Sequence, residues 1–242
     1  MEIQETIINK LTVLGCSYSD RTRVEKNYCD YLSSKLEIKG ESLAAGCGSN
    51  PRIWRLVLSG IRSNTINKNT LLVIQYSEIF RKEFWSKFYD PNLARGKNSY
   101  GNGHPLREEF NGGDLIKYKF GASDWQPAHY EKSLFKNIEK NFLDETYENE
   151  IFKNNHYSLL NTLENHQINT IFLNTQYING SGLLDFNNFK YSTVFDLVNP
   201  LNFPQVEDGT CLSGDDCFHL SKKGHISLSN MLFDFINNEY LK

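Results

Sequence analysis

Two short segments carry side chains that together would support nucleophilic chemistry. One is Gly15-Cys16-Ser17-Tyr18-Ser19-Asp20; the other, near the opposite end of the chain, is Asp215-Asp216-Cys217-Phe218-His219-Leu220-Ser221. A serine hydroxyl is a poor nucleophile at neutral pH and needs a base. An imidazole serves best when a carboxylate fixes its tautomer. Ser17 offers the hydroxyl, and His219, three positions after Asp216, offers an imidazole that this carboxylate can orient if the segment turns. The plainer alternative is that Ser17 only ends a strand, Asp216 caps a turn and His219 packs under a helix.

The surrounding elements place both segments where an α/β fold exposes its ligands. Leu11-Thr12-Val13-Leu14 is a short apolar run that stops at Gly15, the pattern of a buried parallel strand. Val24 to Leu36 follows as an amphipathic helix on Val24, Tyr28, Leu32 and Leu36; Gly40 breaks it, and Glu41 to Ala45 reads as a second strand. Asn50-Pro51 predicts an N-cap and first helical residue, opening a helix to about Gly60 with Ile53, Leu56, Val57 and Ile61 buried. Thr70 to Ile74 is the clearest strand. Glu131 to about Asn165 is helical in pattern, as two helices, and Asn169 to Gln176 and Thr193 to Val198 read as strands. A last helix runs from near Ser221 to Tyr240, with Ile226, Leu228, Met231, Leu232, Phe235 and Ile236 facing inward.

Strands alternating with helices predict a parallel sheet with right-handed crossovers, whose ligands bind beyond the carboxyl ends of the strands. The first three strands end in Gly15-Cys16-Ser17, Gly46 to Ser49 and Gln75-Tyr76-Ser77, which puts three loops on one edge. The pattern lapses between Glu78 and Tyr130, a stretch rich in aromatics. Residues 78–130 are therefore expected to form an insertion or lid within a single domain spanning 1–242.

Composition narrows the classes of function. The chain has 242 residues, 39% hydrophobic and 13% aromatic, enough bulky material for a core at a mean hydropathy of −0.51. A net charge of −3 lacks the positive field of a general nucleic-acid binder. No apolar run approaches the roughly 18 residues of a membrane span, and Met1 to Lys10 carry no apolar core of a secretory signal. Five cysteines without a C-x-x-C pair read as reduced thiols, so a cytoplasmic location is expected.

With chain order taken into account, the sequence resembles the SGNH hydrolase superfamily, the GDSL-type esterases and lipases. Gly15-Cys16-Ser17 stands where that family carries Gly-Asp-Ser after the first strand, and Gly48 matches the glycine after the second. Gln75-Tyr76-Ser77-Glu78 falls on the Gly-x-Asn-Asp block after the third. Asp216 and His219 match Asp-x-x-His before the final helix, and the continuation through Ser221 to Gly224-His225 is similar too. The resemblance implies a three-layer, flavodoxin-like parallel sheet and acyl transfer from an ester to water through an acyl-enzyme. Ser17 would be the nucleophile, His219 its base and Asp216 the group orienting His219. The N–H groups of Ser17 and Gly48 would form part of the oxyanion hole. Neither metal nor organic cofactor is implied. Two positions depart from the pattern: Cys16 replaces an Asp that supports the turn, and Ser77 replaces the asparagine that donates to the oxyanion, with a shorter reach.

Other residues admit weaker roles. His104, His129, His156 and His166 show no metal-ligand spacing and read as surface or core histidines, although His104 or His129 would reach the site from a lid. His225 is expected to pack or cap. Gln75 is a possible substitute for the missing asparagine. Trp85, Tyr100 and Trp125 either build a satellite core or stack on a sugar ring. Arg52, Arg55 and Arg81 flank the second and third blocks, where an anionic group would meet them. The expected function is therefore a serine esterase deacylating a carbohydrate or glycoconjugate, its substrate a small-molecule or glycan ester. An O-acyltransferase on a sugar hydroxyl shares the same nucleophile chemistry. A glycan-binding or assembly protein that keeps the fold without turnover is the reading from another class.

Overall fold

The structure is a computed structural model that describes residues 7–16, 19, 24–45, 48–77, 81–86, 107–110, 113–119, 144–173, 190–195 and 219–239. Its centre is an all-parallel five-stranded sheet of β1 (Lys10–Leu14), β2 (Lys39–Ser42), β3 (Thr70–Gln75), β7 (Thr170–Leu173) and β8 (Ser192–Phe195), ordered β2-β1-β3-β7-β8. Counted along the chain within this sheet, the order is 2-1-3-4-5, that of flavodoxin-like doubly wound sheets. Every residue of β3 is buried, as a central strand covered on both faces requires.

Alternation along the strands sends side chains to two separate cores, which makes the fold three layers deep. Leu11, Val13, Leu71, Val73, Ile171 and Leu173 face α1 (Tyr28–Leu36) and α4 (Lys222–Glu239), where Leu32, Leu228, Leu232 and Ile236 meet them. Leu14, Leu72, Ile74 and Phe172 face α2 (Asn50–Arg62) and α3 (Glu145–Asn165) through Ile53, Val57, Leu160 and Leu163. Between β3 and α3, strands β4 (Arg81–Ser86), β5 (Arg107–Phe110) and β6 (Gly113–Lys119) form a second, antiparallel sheet, ordered β4-β6-β5. The rest of the 78–130 stretch lies outside the described residues. Among the described residues no helix is long and apolar enough to cross a membrane.

Three local boundaries differ from the sequence reading. The first helix begins at Tyr28, not Val24, because Asn27 caps it. The Asn27 side chain accepts from the N–H groups of Cys29 and Asp30, and the Asp30 carboxylate accepts from Asn27 N–H, which completes a capping box. The second strand occupies Lys39–Ser42 rather than Glu41 to Ala45, so Gly40 lies inside it, opposite Leu11. Glu37 makes the left-handed turn out of α1 with φ 55°, and Gly40 is needed for closeness instead: a Cβ there would come within 2.6 Å of Ser33 Cβ. The cap of α2 is Ser49, whose hydroxyl accepts from Arg52 N–H at 3.3 Å, which frees the Asn50 side chain for another partner.

Candidate functional site

The first strand ends in a turn closed by Ser19 N–H donating to Cys16 O at 3.0 Å. Ser17 and Tyr18, between them, lie outside the described residues. What holds the turn is a buried polar network. Ser19 Oγ donates to Gln75 Oε1, whose amide nitrogen in turn donates to Cys16 Sγ at 3.6 Å. With the Ser19 proton directed at an oxygen that only accepts, the contact to Tyr28 Oη at 2.9 Å runs from tyrosine to serine. Burial pushes the Tyr28 hydroxyl far above its ordinary range, so it stays neutral and able to donate. Asn27 Nδ2 donates to Ser19 O at 2.7 Å, and Ser42 Oγ donates to the same oxygen at 3.2 Å. Gln75, offered above as a substitute for the missing asparagine, is 2% exposed and braces the first turn through Ser19 and Cys16. Cys16 is a buried free thiol.

The second turn leans on the first. Leu43 N–H and Ala45 N–H donate to Val13 O and Gly15 O, continuing the β1–β2 contact past the strands. Gly48 then comes so close that a Cβ on it would stand 2.8 Å from Gly15 O and 3.0 Å from Ala45 O. Both neighbours are main chain and cannot rotate away, which explains glycine at this position. Its N–H donates to Ala45 O at 2.9 Å, so work as an oxyanion donor would require that bond to be shared or released. Arg52 is 7% exposed and donates through Nη1 to Leu43 O at 2.7 Å, which ties the start of α2 to the chain leaving β2.

The third turn is tied to the second by one side chain. Asn50 Oδ1 accepts from Ser77 N–H at 2.7 Å, and Asn50 Nδ2 donates to Ser77 O at 2.9 Å. Ser77 is 2% exposed, and its hydroxyl has no hydrogen-bond partner among the described residues. Behind it, Tyr76 Oη and His156 Nδ1 lie 2.8 Å apart in an aromatic cluster with Phe152 and Phe172. Burial lowers His156 to a pKa of about 4, so this histidine belongs to the core and stays neutral.

The fourth segment enters through α4. His219 is half-buried, Leu220 is packed into the α1–α4 core, and Ser221 Oγ accepts from Gly224 N–H at 3.2 Å. His225, one turn into the helix, stacks on Tyr28 with ring centroids 6.1 Å apart and accepts at Nδ1 from Tyr28 N–H. The beginning of α4 therefore sits beside the beginning of α1, at the edge where β1 and β3 end. Asp216 lies outside the described residues, as do Trp125, Tyr100, His104 and His129; Trp85 is placed on β4 by its main chain. His166 ends α3 at its C-cap.

The fold thus brings the three strand-end turns and the first residues of α4 to one edge of the parallel sheet. Sequence reading missed the hydrogen bonds that hold them there: Ser19 with Asn27, Tyr28 and Gln75, Asn50 with Ser77, and Tyr28 with His225, a residue expected to pack or cap. The available signal was slight, consisting of Asn27 three residues before Asp30 as a capping box. No family model matches the chain, and no curated protein matches its sequence.

Proposed function

We propose that this chain is a serine esterase of the SGNH type that deacylates a carbohydrate or glycoconjugate ester. The reading is carried by one observation: the residues flanking Ser17, the glycine of the second turn and Ser77 of the third are tied together at the carboxyl edge of a parallel sheet, beside the helix that follows His219. Ligands of such sheets bind at this edge. In the proposed reaction Ser17 Oγ attacks the ester carbonyl while His219 takes its proton. His219 returns that proton to the departing alcohol, and water then releases the acyl group by the same route. Asp216 orients His219. Oxyanion charge would fall to the N–H groups of Ser17 and Gly48 and to the Ser77 hydroxyl. Trp85 and Trp125 are the proposed sugar contacts, and no cofactor enters the scheme.

The test is hydrolysis of an activated acetyl ester together with labelling by a serine-directed fluorophosphonate, for wild type and Ser17→Ala. Activity and labelling that both disappear in Ser17→Ala support the assignment. Equal behaviour of the two proteins, or no reaction by wild type, removes it. A glycan-binding protein without turnover is the second reading, and the observation in its favour is the engagement of Gly48 N–H by Ala45 O.

A further inference from the structure

The proposed nucleophile and its base come from opposite ends of the chain, so their separation depends on what joins the first turn to the start of α4. Tyr28, fully buried, is bonded to both sides. Its hydroxyl donates to Ser19 Oγ at 2.9 Å, and Ser19 N–H closes the turn on Cys16 O at 3.0 Å. Its main-chain N–H donates to His225 Nδ1 at 3.2 Å, and its ring stacks on that imidazole with centroids 6.1 Å apart. His225 N–H in turn donates to Ser221 O at 2.9 Å, which carries the link along α4 to within two residues of His219. Leu220 and Leu228 share a core with Tyr28, but apolar burial is non-directional. Hydrogen bonds from both ends of one buried residue supply the direction that packing alone lacks.

We propose that Tyr28 and His225 are positioning residues: through Ser19 on one side and Ser221 on the other, they set the distance between the segment of Ser17 and the segment of His219. Neither touches substrate. The proposal rests on the esterase reading and adds to it the means by which two remote segments are aligned. Proton transfer from nucleophile to base needs the two within about 2.6–3.2 Å. A misplacement of about 1 Å can cost about 100-fold in rate, even when its cause lies away from the chemistry. Breaking either bond of Tyr28 lets α4 shift against the first turn while both remain folded.

The experiment measures kcat and KM for an activated acetyl ester in wild type, Tyr28→Phe, His225→Phe, His225→Asn and the double variant of the two Phe changes. Active sites are counted by fluorophosphonate titration, so that a loss of folded protein does not read as a loss of rate. Gly40→Ala, which crowds Ser33 away from the turns, is the stability control, with Tm recorded for each protein. Tyr28→Phe and His225→Phe are expected to lower kcat about 10–100-fold with KM nearly unchanged. His225→Asn, whose amide oxygen can replace Nδ1 as the acceptor, recovers most of that loss. Gly40→Ala lowers Tm but keeps kcat. The double variant is no slower than the slower of the two single ones, because either break opens the same link. Unchanged kcat in either Phe variant, no recovery in His225→Asn, or additive losses in the double variant overturn the proposal and leave the esterase standing. Should His225→Phe fail to fold, a Tyr28→Phe as fast as Gly40→Ala overturns it equally. A wild type that neither hydrolyses nor labels removes the esterase reading and this proposal with it.

Discussion

His225 Nδ1 accepts a hydrogen bond from the main-chain N–H of Tyr28 at 3.2 Å, so the last helix caps the first across nearly the whole sequence. Tyr28 is the first residue of α1, and its N–H is one of the donors a helix start leaves without an internal partner. Asn27 takes the next two, from Cys29 and Asp30. A proton on His225 Nδ1 would remove the acceptor and set a positive charge at the positive end of the helix dipole.

That geometry sets a pH dependence. Burial lowers both His225 and His156 to about 4, with Asp30 partly opposing the shift at His225. Between the unfolded value near 6.5 and about 4, the unfolded chain binds protons that the folded one refuses. Stability from these two groups is therefore complete above pH 6.5 and is lost as pH falls towards 4. Each contributes at most about 3 kcal/mol. Urea denaturation at a series of pH values across this window should give a falling midpoint, and His156→Phe should flatten the slope. A midpoint that does not move between neutrality and pH 5 contradicts the assignment.

Asn27 joins the helix cap to the first turn, since its Nδ2 holds Ser19 O while its Oδ1 holds two N–H groups. Replacing a capping Asn with Ala typically costs about 1 kcal/mol, and the lost buried contact to Ser19 should bring the total to about 2 kcal/mol or more. Asn27→Asp retains the acceptor but loses the donor and should fall between the two. Equal stability of Asn27→Asp and Asn27→Ala would mean that the cap contributes nothing.

Gly48→Ala places a Cβ against two main-chain oxygens at 2.8 and 3.0 Å, so the second turn must move away from Gly15. The expected cost is about 1–3 kcal/mol, as for overpacking elsewhere, with loss of any ester hydrolysis. Gly40→Ala meets the Ser33 side chain instead, far from the turns. It should destabilise comparably yet leave hydrolysis by the folded protein intact. Parallel melting and rate measurements on the two variants separate turn geometry from general stability.

Tyr28→Phe removes one donor to Ser19 but leaves Ser19 bonded to Gln75, and should cost about 1 kcal/mol. Gln75→Leu removes the partner of both Ser19 and Cys16, and should cost about 2 kcal/mol or more. The order of the two urea midpoints is the check. Tyr28→Phe as the weaker protein would place the bracing of the first turn elsewhere.

Much of the scaffold is legible in the residues themselves. Leu11 to Leu14 and Thr70 to Ile74 are continuous apolar runs because both their faces are covered, and Leu228, Leu232 and Ile236 mark the buried stripe of the last helix. Lys39-Gly40-Glu41-Ser42 gives no such signal: it is an edge strand with two exposed and two half-buried residues, and its pairing with β1 alone makes it a strand. The capping of α2 by Ser49 rather than Asn50 is equally invisible, since both residues cap well. Asn50 is taken instead by Ser77, 27 residues away.

Sequence by itself determined the alternation of strands and helices, the small and polar residues that end the strands, and the order of Ser17, Gly48, Ser77, Asp216 and His219. Hydrophobic period and turn chemistry are local properties, and they suffice for that much. Tertiary structure decided that Gln75 braces the first turn, that Arg52 faces Leu43 O, that Asn50 clamps Ser77 and that His225 caps α1. Each of those is a hydrogen bond between residues that only the crossovers of the parallel sheet bring together, and buried donors and acceptors must find whichever partner the packing leaves within reach.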